Sequence, residues 1–252
     1  MVSKVIINKW ERIDDLQYKG LKIIQDTRGF CFGVDAVLLA HFAEVKKDNE
    51  VLDLGTGTGI IPILIAGKTK AGRIVGLEIQ EHMAEMSSRS VILNGLEERV
   101  QMICGDLCNS ASLFGASIFD IITCNPPYMS PGGGMVNLRD SKAISRHEIA
   151  CTLEDIISVS SRLLKTGGKL NMVHRPERLA DIIWLMRSYK IEPKRLRFIH
   201  PSYHQRANLI LIEGARGGNP QLKMMEPLYV YGANGEYSEE INRIYNRDIE
   251  NV

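Results

Sequence analysis

Short apolar runs alternate with longer amphipathic segments along most of the chain after residue 50. The apolar runs predict seven β-strands, at 50–54, 73–79, 99–104, 119–124, 168–174, 194–200 and 207–213. The segments between them predict helices at 59–67, 80–94, 152–165 and 175–189, with Gly95 and Gly167 as C-terminal caps of the second and third helices. This alternation is typical of a parallel sheet covered by helices on both faces.

The connection between the last two predicted strands breaks the alternation. Pro201 to Arg206 form a link too short for a crossover helix, so this pair is predicted to be an antiparallel hairpin. The fold class is therefore α/β, with a seven-stranded sheet that is mostly parallel, ends in a C-terminal antiparallel hairpin and has helices on both faces. A dinucleotide-binding sheet differs, because its strands remain parallel.

Two further segments flank this alternating region. Before residue 50, Val34 to Val45 has the apolar spacing of a helix, and residues 21–25 form a short strand candidate in front of it. We predict three units: an N-terminal strand and helix extension at 1–45, a core at 46–216 and a C-terminal tail at 217–252. The loop from Met129 to Arg146 is long enough to have a function of its own.

Composition fits a globular protein of the cytoplasm. The 252 residues are 44% hydrophobic and 24% charged, which is enough for a sizeable core. The longest apolar stretch, Gly59 to Gly67, is too short to cross a bilayer, and neither an export signal nor a membrane anchor is expected. The five cysteines include no C-x-x-C pair, which favours reduced thiols.

The net charge of the chain does not indicate a binding partner, but the distribution of charged residues along the chain is more informative. The chain carries +1 overall, while six basic residues and one acid lie between Arg187 and Arg206. Such a strip is either a binding face or ordinary solvated surface. Five acids and two arginines reverse the balance between Glu236 and Val252.

A glycine-rich loop joins the first core strand to the first core helix. It reads DLGTGTG from Asp53 to Gly59, and its glycines permit sharp turns and close approach of a ligand to the main chain. Glu78 ends the next strand, where a carboxylate can accept both ribose hydroxyls, and Asp106 follows the third strand, where it could accept from an adenine amine. The alternative is a glycine-rich turn beside two unrelated surface acids. Three strand-end features in order favour an adenosine-bearing ligand.

The sequence CNPPYM from Cys124 to Met129 follows the fourth core strand directly. Proline lacks a backbone donor and fixes φ, so two prolines end the strand and hold their neighbours in one conformation. A strand terminator with a packed tyrosine would explain these residues taken alone. The cofactor loop earlier in the chain favours a functional role.

These motifs resemble those of the class I S-adenosylmethionine-dependent methyltransferases. The resemblance implies S-adenosyl-L-methionine as cofactor, a Rossmann-like methyltransferase sheet, and an enzyme that transfers a methyl group to nitrogen. It assigns cofactor binding to the loop and to the strand-end acids with the residues that follow them: Asp53, Gly55, Thr56, Gly57, Gly59, Glu78, Ile79, Asp106 and Leu107. The motif N-P-P-Y, which is Asn125, Pro126, Pro127 and Tyr128, marks methylation of a planar nitrogen in that class.

The chemistry of such a nitrogen accounts for the motif. The lone pair of an exocyclic amine is delocalised into the ring, so the amine is a weak nucleophile. Carbonyl oxygens of Asn125 and Pro126 can accept its hydrogens and aim the lone pair at the methyl group, with Pro126 and Pro127 fixing both acceptors. Tyr128 offers a face on which a flipped base can stack, worth ~1–3 kcal/mol.

Outside these motifs, the chain is similar to the branch that contains the tRNA(Val) adenine-N6 methyltransferases. The similarity rests on residues 26–42, 145–148, 175–179, 209–218 and 227–245. It implies methylation of an adenosine next to a tRNA anticodon, and a pre-core segment that covers the cofactor and places Phe32 and Asp35 near its methionine end. Core packing of Phe32 and a helix-start role for Asp35 are equally open. Arg146, His147 and Glu148 could order the loop or contact substrate.

Several alternatives stay open from the sequence. A protein glutamine-N5 methyltransferase also uses N-P-P-Y but usually has a separate N-terminal helical domain, whereas only about fifty residues precede this core. Methylation of ribosomal RNA or DNA and a non-catalytic nucleotide- or RNA-binding module are the others. His200 and His204 lack a third ligand, so no metal is expected. The oligomeric state is left open, with a monomer among the alternatives. For RNA phosphates, Arg197 and Arg206 are the predicted contacts.

Overall fold

A computed structural model describes residues 5–29, 33–126 and 151–247 of the protein. The chain begins with a hairpin and a helix: β1 (Glu11–Asp15), β2 (Lys22–Asp26) and α1 (Val34–Phe42). The alternating region follows: β3 (Glu50–Leu54), α2 (Ile60–Lys68), β4 (Arg73–Glu78), α3 (Glu81–Leu93), β5 (Val100–Cys104), α4 (Ser110–Phe114) and β6 (Phe119–Cys124). The remaining elements are α5 (Leu153–Leu163), β7 (Leu164–His174), α6 (Leu179–Ser188), β8 (Ile191–His200), β9 (Leu209–Arg216), β10 (Lys223–Met224), β11 (Leu228–Tyr229) and α7 (Glu239–Ile244).

The seven long strands of the core form one sheet in the order β8-β9-β7-β6-β3-β4-β5. The pairings among β7, β6, β3, β4 and β5 are parallel, and β9 pairs antiparallel with both β7 and β8. The predicted fold class is confirmed, including the antiparallel hairpin at the C-terminal end. The two-residue strands β10 and β11 both pair in parallel with β8. Periodicity did not predict them, because two residues show no period.

Helix α5 ends at Leu163, and β7 begins at the next residue. The prediction that this helix reaches residue 165 and that Gly167 caps it is therefore wrong. Gly167 has a φ of +80° and lies inside β7, near the irregular pairing of β7 with β6 between Phe119 and Ile121. Gly95 does follow α3 with a φ of +63°, and its N–H donates to the Ile92 carbonyl at 3.0 Å, as a helix cap requires.

The two faces of the sheet support two apolar cores. Successive strand residues point to opposite faces, so Val51 packs with α1, α2 and α3 while Leu52 packs with α5 and α6. Ile121 and Ile122 on β6 divide in the same way. Covering both faces explains why these strands read as nearly continuous apolar runs.

The N-terminal hairpin and the C-terminal residues join the core on the α1 side. Ile23 of β2 and Ile241 of α7 are fully buried in it. Arg89 of α3 holds Glu11 of β1 at 2.7 Å, and hydrogen bonds from Arg89 lower the pKa of Glu11 to about 2. The Ile24 N–H donates to the Ser90 hydroxyl at 3.0 Å. The unit boundaries at residues 45 and 216 stay predictions.

Candidate functional site

The carboxyl ends of the parallel strands β3, β4, β5 and β6 meet at one edge of the sheet. In register, Leu54 lies beside Cys124 on one side and Leu77 on the other, and Glu78 lies beside Cys104. Every predicted site segment that follows one of these strands therefore begins at this edge. We refer to it as the catalytic edge.

The glycine loop between β3 and α2 is held in left-handed conformations. Gly55, Gly57 and Gly59 have φ values of +66°, +56° and +83°, which residues with a Cβ rarely adopt. A Cβ on Gly59 would also lie 2.7 Å from the Met102 methyl carbon. The N–H groups of Gly55 and Thr56 both donate to the Leu77 carbonyl, at 2.9 and 3.0 Å. The loop is thus fixed to β4, next to the predicted ribose acid.

Glu78 turns its carboxylate toward the loop. Its Oε2 accepts the Gly57 N–H at 2.9 Å and its Oε1 accepts the Gln80 N–H at 3.0 Å, with the residue only 5% exposed. Two backbone donors hold the carboxylate in one orientation, and each oxygen keeps lone-pair capacity for a hydroxyl donor. Ile79 follows with 42% exposure and offers an apolar surface at the same edge.

Asp53 lies buried at the start of the loop, 1% exposed. Its Oδ1 accepts the Thr123 hydroxyl at 2.6 Å, and its Oδ2 has no hydrogen-bond partner among the described residues. Burial raises the pKa of Asp53 to about 7. The Thr123 and Thr56 hydroxyls oppose this rise, and the burial of Asp53 outweighs them.

Asp106 begins the single 3-10 turn that follows β5, Leu107–Asn109. Its Oδ1 accepts the Cys108 N–H at 2.8 Å, which is an N-cap bond. Asp106 and Leu107 are both half-buried, and Leu107 packs against the core on the α5 side. The cap fixes the position of Asp106 at the catalytic edge, where the predicted adenine contact would form.

Asn125 and Asp35 are brought together across 90 residues of sequence. The Asn125 Nδ2 donates to Asp35 Oδ2 at 3.1 Å, and Asp35 Oδ1 accepts the Ala36 N–H at 2.9 Å. A carboxylate only accepts hydrogen bonds, so the amide nitrogen must face Asp35 and the Asn125 carbonyl oxygen faces away from it. Pro126 is buried directly after. The sequence left two roles open for Asp35, a place near the methionine end of the cofactor and a role at the start of the following helix. Asp35 does lie in the first turn of α1, and the contact with the cofactor stays a prediction.

Part of the predicted site lies outside the described residues. This part comprises Phe32, Pro127, Tyr128, Arg146, His147 and Glu148. The assigned roles of all site residues stay predictions, whether or not the structure describes them.

Sequence reasoning missed three residues near this edge. Thr123 bonds Asp53, and its position beside Asp53 on the neighbouring strand was available only from the strand register. His174 ends β7 with its Nδ1 accepting the Arg175 N–H at 2.8 Å, and burial lowers its pKa to about 4. Burial raises the pKa of Tyr245 to about 12, with smaller contributions that include the nearby Asp35 charge. Tyr245 is therefore within electrostatic range of Asp35, which bonds Asn125 at this edge.

Three of the six basic residues between Arg187 and Arg206 form ion pairs with other described residues. Arg197 is one of them, so the prediction that it binds phosphate is not supported. Arg197 pairs with Glu240 at 2.7 Å and its side chain is 13% exposed. Arg195 pairs with the buried Glu213 at 2.6 Å, and Arg187 pairs with Glu192 at 3.2 Å. Arg206 is exposed and makes no ion pair with the described residues.

The described ranges hold neither a candidate metal site nor a membrane-spanning helix. In residues 5–29, 33–126 and 151–247, no three or more His, Cys, Asp or Glu side chains cluster as a metal site would require. Within the same ranges, no helix is both long enough and apolar enough to span a membrane.

The strand order of the sheet defines a Rossmann-like methyltransferase fold. The glycine loop, the Glu78 carboxylate and the Asn125 amide at the catalytic edge agree with this class. Residues 33–187 match the family model described as methyltransferase small domain. The chain belongs to this family, and the predicted enzyme class and its methyl donor, S-adenosylmethionine, are confirmed.

Similar proteins agree with this membership. A protein of Porphyromonas gingivalis named tRNA1(Val) (adenine(37)-N6)-methyltransferase is 28% identical over 92% of this chain and 93% of its own length. A protein of the same name from Aeromonas hydrophila is 25% identical over 88% of this chain and 91% of its own. The crystal structure of a predicted O-methyltransferase from Agrobacterium tumefaciens has a TM-score of 0.69 and 22% identity, covering 84% of this chain and 95% of that one. The last likeness shows the fold alone.

Proposed function

We propose that the protein methylates the exocyclic N6 of an adenosine in tRNA, beside the anticodon, with S-adenosylmethionine as donor. The observation that carries the proposal is the position of Asn125 directly after β6, at the edge that also holds the glycine loop and Glu78, with its amide nitrogen donating to Asp35. The names of the relatives from Porphyromonas gingivalis and Aeromonas hydrophila support the choice of substrate.

The residues at the catalytic edge fit the methyl donor. Glu78 is oriented to accept ribose hydroxyls, and the left-handed glycines leave main chain exposed to close approach. When bound, S-adenosylmethionine supplies an electrophilic methyl on a leaving group that becomes neutral.

Asn125 acts on the nucleophile. Its carbonyl oxygen accepts one N–H of the adenine amine, and the Pro126 main-chain carbonyl accepts the other. These bonds strengthen as the nitrogen becomes tetrahedral, so they favour the transition state over the ground state. Fixed acceptors need no reorganisation during the reaction. The nitrogen–methyl bond forms as the sulfur–methyl bond breaks, and the methylated amine then releases its extra proton to water, so no metal or strong base is required.

The direct test is product mapping. The purified protein is incubated with methyl-labelled S-adenosylmethionine and an unmodified tRNA1(Val) transcript, and the digested RNA is analysed for N6-methyladenosine. Asn125→Ala is the matched control, with a kcat lower by on the order of 10²–10³ and cofactor affinity within a few-fold of wild type. Label in a release-factor glutamine, with none in RNA, would replace the proposal by the protein-substrate alternative. A cytoplasmic location and a monomeric state stay predictions.

A further inference from the structure

An aromatic cluster lies where β8 ends and the turn to β9 begins. It consists of His200, Tyr203, His204 and Tyr229. Ring centroids lie 5.6 Å apart for Tyr203 and Tyr229, 5.3 Å for His200 and Tyr229, and 5.1 Å for Tyr203 and His204. Tyr203 is nevertheless 74% exposed. Its ring therefore has two aromatic neighbours and still offers most of its surface to solvent.

The backbone beneath the aromatic cluster is fixed on two sides. The Asn208 N–H donates to the Ile199 carbonyl at 3.0 Å, which closes the turn. The Val230 N–H donates to the His200 carbonyl at 2.8 Å, which ties β11 to the end of β8. Fixing an exposed tyrosine buries little apolar surface, so stability gives little reason for it. A preformed ring of this kind is suited to stacking.

The aromatic cluster lies on the catalytic edge. Register runs across the sheet from Cys124 on β6 to Met172 on β7, then to Ile212 on β9 and Leu196 on β8. Two antiparallel pairings in succession make β8 parallel to β6, so the carboxyl ends of both strands lie at one edge. Three strand spacings separate β6 from β8, about 14 Å across the sheet, and β8 continues from Leu196 to His200, about 13 Å further along the strand. The end of β8 therefore lies roughly 20 Å from the end of β6, close to the rise of about six stacked nucleotides.

Among the described residues, two exposed cations lie beside the aromatic cluster. Arg175 donates from its Nη1 to the Asn208 carbonyl at 3.0 Å. Arg206 lies in the same turn and makes no ion pair with the described residues, whereas Arg197 on β8 is bound by Glu240. An aromatic face next to a cation is the combination that binds single-stranded nucleic acid, with the base stacked and the phosphate paired. A protein partner would gain less from a single polar turn that offers one ring.

We propose that Tyr203, supported by the rest of the aromatic cluster, stacks an unpaired base of the substrate RNA close to the target adenosine, and that Arg206 contacts a backbone phosphate. This inference rests on the proposed function, because it takes RNA as the substrate. It adds the surface that binds the RNA segment beside the target.

The test separates stacking from charge. Binding of an unmodified tRNA1(Val) transcript is measured by fluorescence anisotropy across a salt series. Tyr203→Ala should weaken binding by roughly 5- to 150-fold without changing the salt slope, because stacking releases no counterions. Tyr203→Trp should bind like wild type. Arg206→Gln should reduce the slope of log affinity against log salt by about one.

A second exposed aromatic residue provides the matched control. Trp184→Ala removes another exposed aromatic, 67% exposed on α6 and away from the turn, and should leave RNA binding unchanged. Calorimetry with S-adenosylhomocysteine should show that every variant binds it like wild type, which verifies the fold. Wild-type affinity of Tyr203→Ala in an enzyme that methylates RNA would overturn this inference alone. Methylation of a protein and not of RNA would overturn the proposed function together with it.

Discussion

The hydrogen bond between Asp35 and Asn125 predicts a specific kinetic defect. In Asp35→Ala the Asn125 amide loses the acceptor that fixes its orientation, and it can rotate away from the adenine amine. We therefore expect the methyl-transfer step to slow while the cofactor binds normally. Asp35 would then be a positioning residue that acts through Asn125.

The expected loss of rate follows from the free energy of the hydrogen bond between Asp35 and Asn125. A hydrogen bond to a charged group contributes about 1.5–3 kcal/mol, and each 1.36 kcal/mol corresponds to a factor of ten in rate. If the whole contribution is expressed in the transition state, kcat falls by about 10- to 150-fold. Asp35 also lies in the first turn of α1, so ~0.3–1 kcal/mol of stability should be lost as well.

Two measurements decide the outcome. Single-turnover methylation of saturating RNA reports the chemical step, and calorimetry with S-adenosylhomocysteine reports the cofactor site. Asp35→Asn retains an acceptor oxygen and should recover much of the rate. A variant Asp35→Ala with wild-type single-turnover rate and tenfold weaker cofactor binding would refute the reasoning, and would support the methionine-end contact that the family resemblance implies.

Three further changes test other parts of the structure. Glu78→Ala should weaken S-adenosylhomocysteine binding by about 1.5–3 kcal/mol in calorimetry, because a charged acceptor is lost; unchanged affinity would remove Glu78 from the site. Asp53 has a folded-state pKa raised from 3.8 to about 7 by burial, so the folded state binds its proton more tightly than the unfolded state does. The contribution of this proton to stability is full below about pH 4 and is lost as pH rises through 7. Asp53→Asn should lack this decline in melting temperature when thermal melts are run without ligand. Melting temperatures of variant and wild type that change in parallel with pH would contradict the assignment. Arg197→Ala should lower the free energy of unfolding by about 1.5–3 kcal/mol in urea titrations, because the ion pair with Glu240 joins α7 to β8. Amide hydrogen exchange in α7 should become faster. Unchanged exchange in α7 would show that the ion pair does not hold this segment.

The sequence by itself determined the alternating core and the segments that meet at the catalytic edge. Strands such as 119–124 can be predicted from their continuous apolar sequence, because both faces of a central parallel strand are buried. Parallel strands put their carboxyl ends on one edge, so the glycine loop, Glu78 and Asn125 could be expected together before any coordinates were known. The short link from Pro201 to Arg206 likewise predicted the antiparallel hairpin.

The tertiary structure alone decided which side chains contact each other. Asp35 bonds Asn125, Arg197 pairs with Glu240 instead of facing solvent, and the aromatic cluster forms between the β8–β9 turn and β11. Periodicity is a local property of the chain, with repeats of two or 3.6 residues, and it carries no information about partners tens of residues away. Those partners are selected by how the N-terminal hairpin and the C-terminal segment pack on the α1 side of the sheet, which only the folded chain specifies.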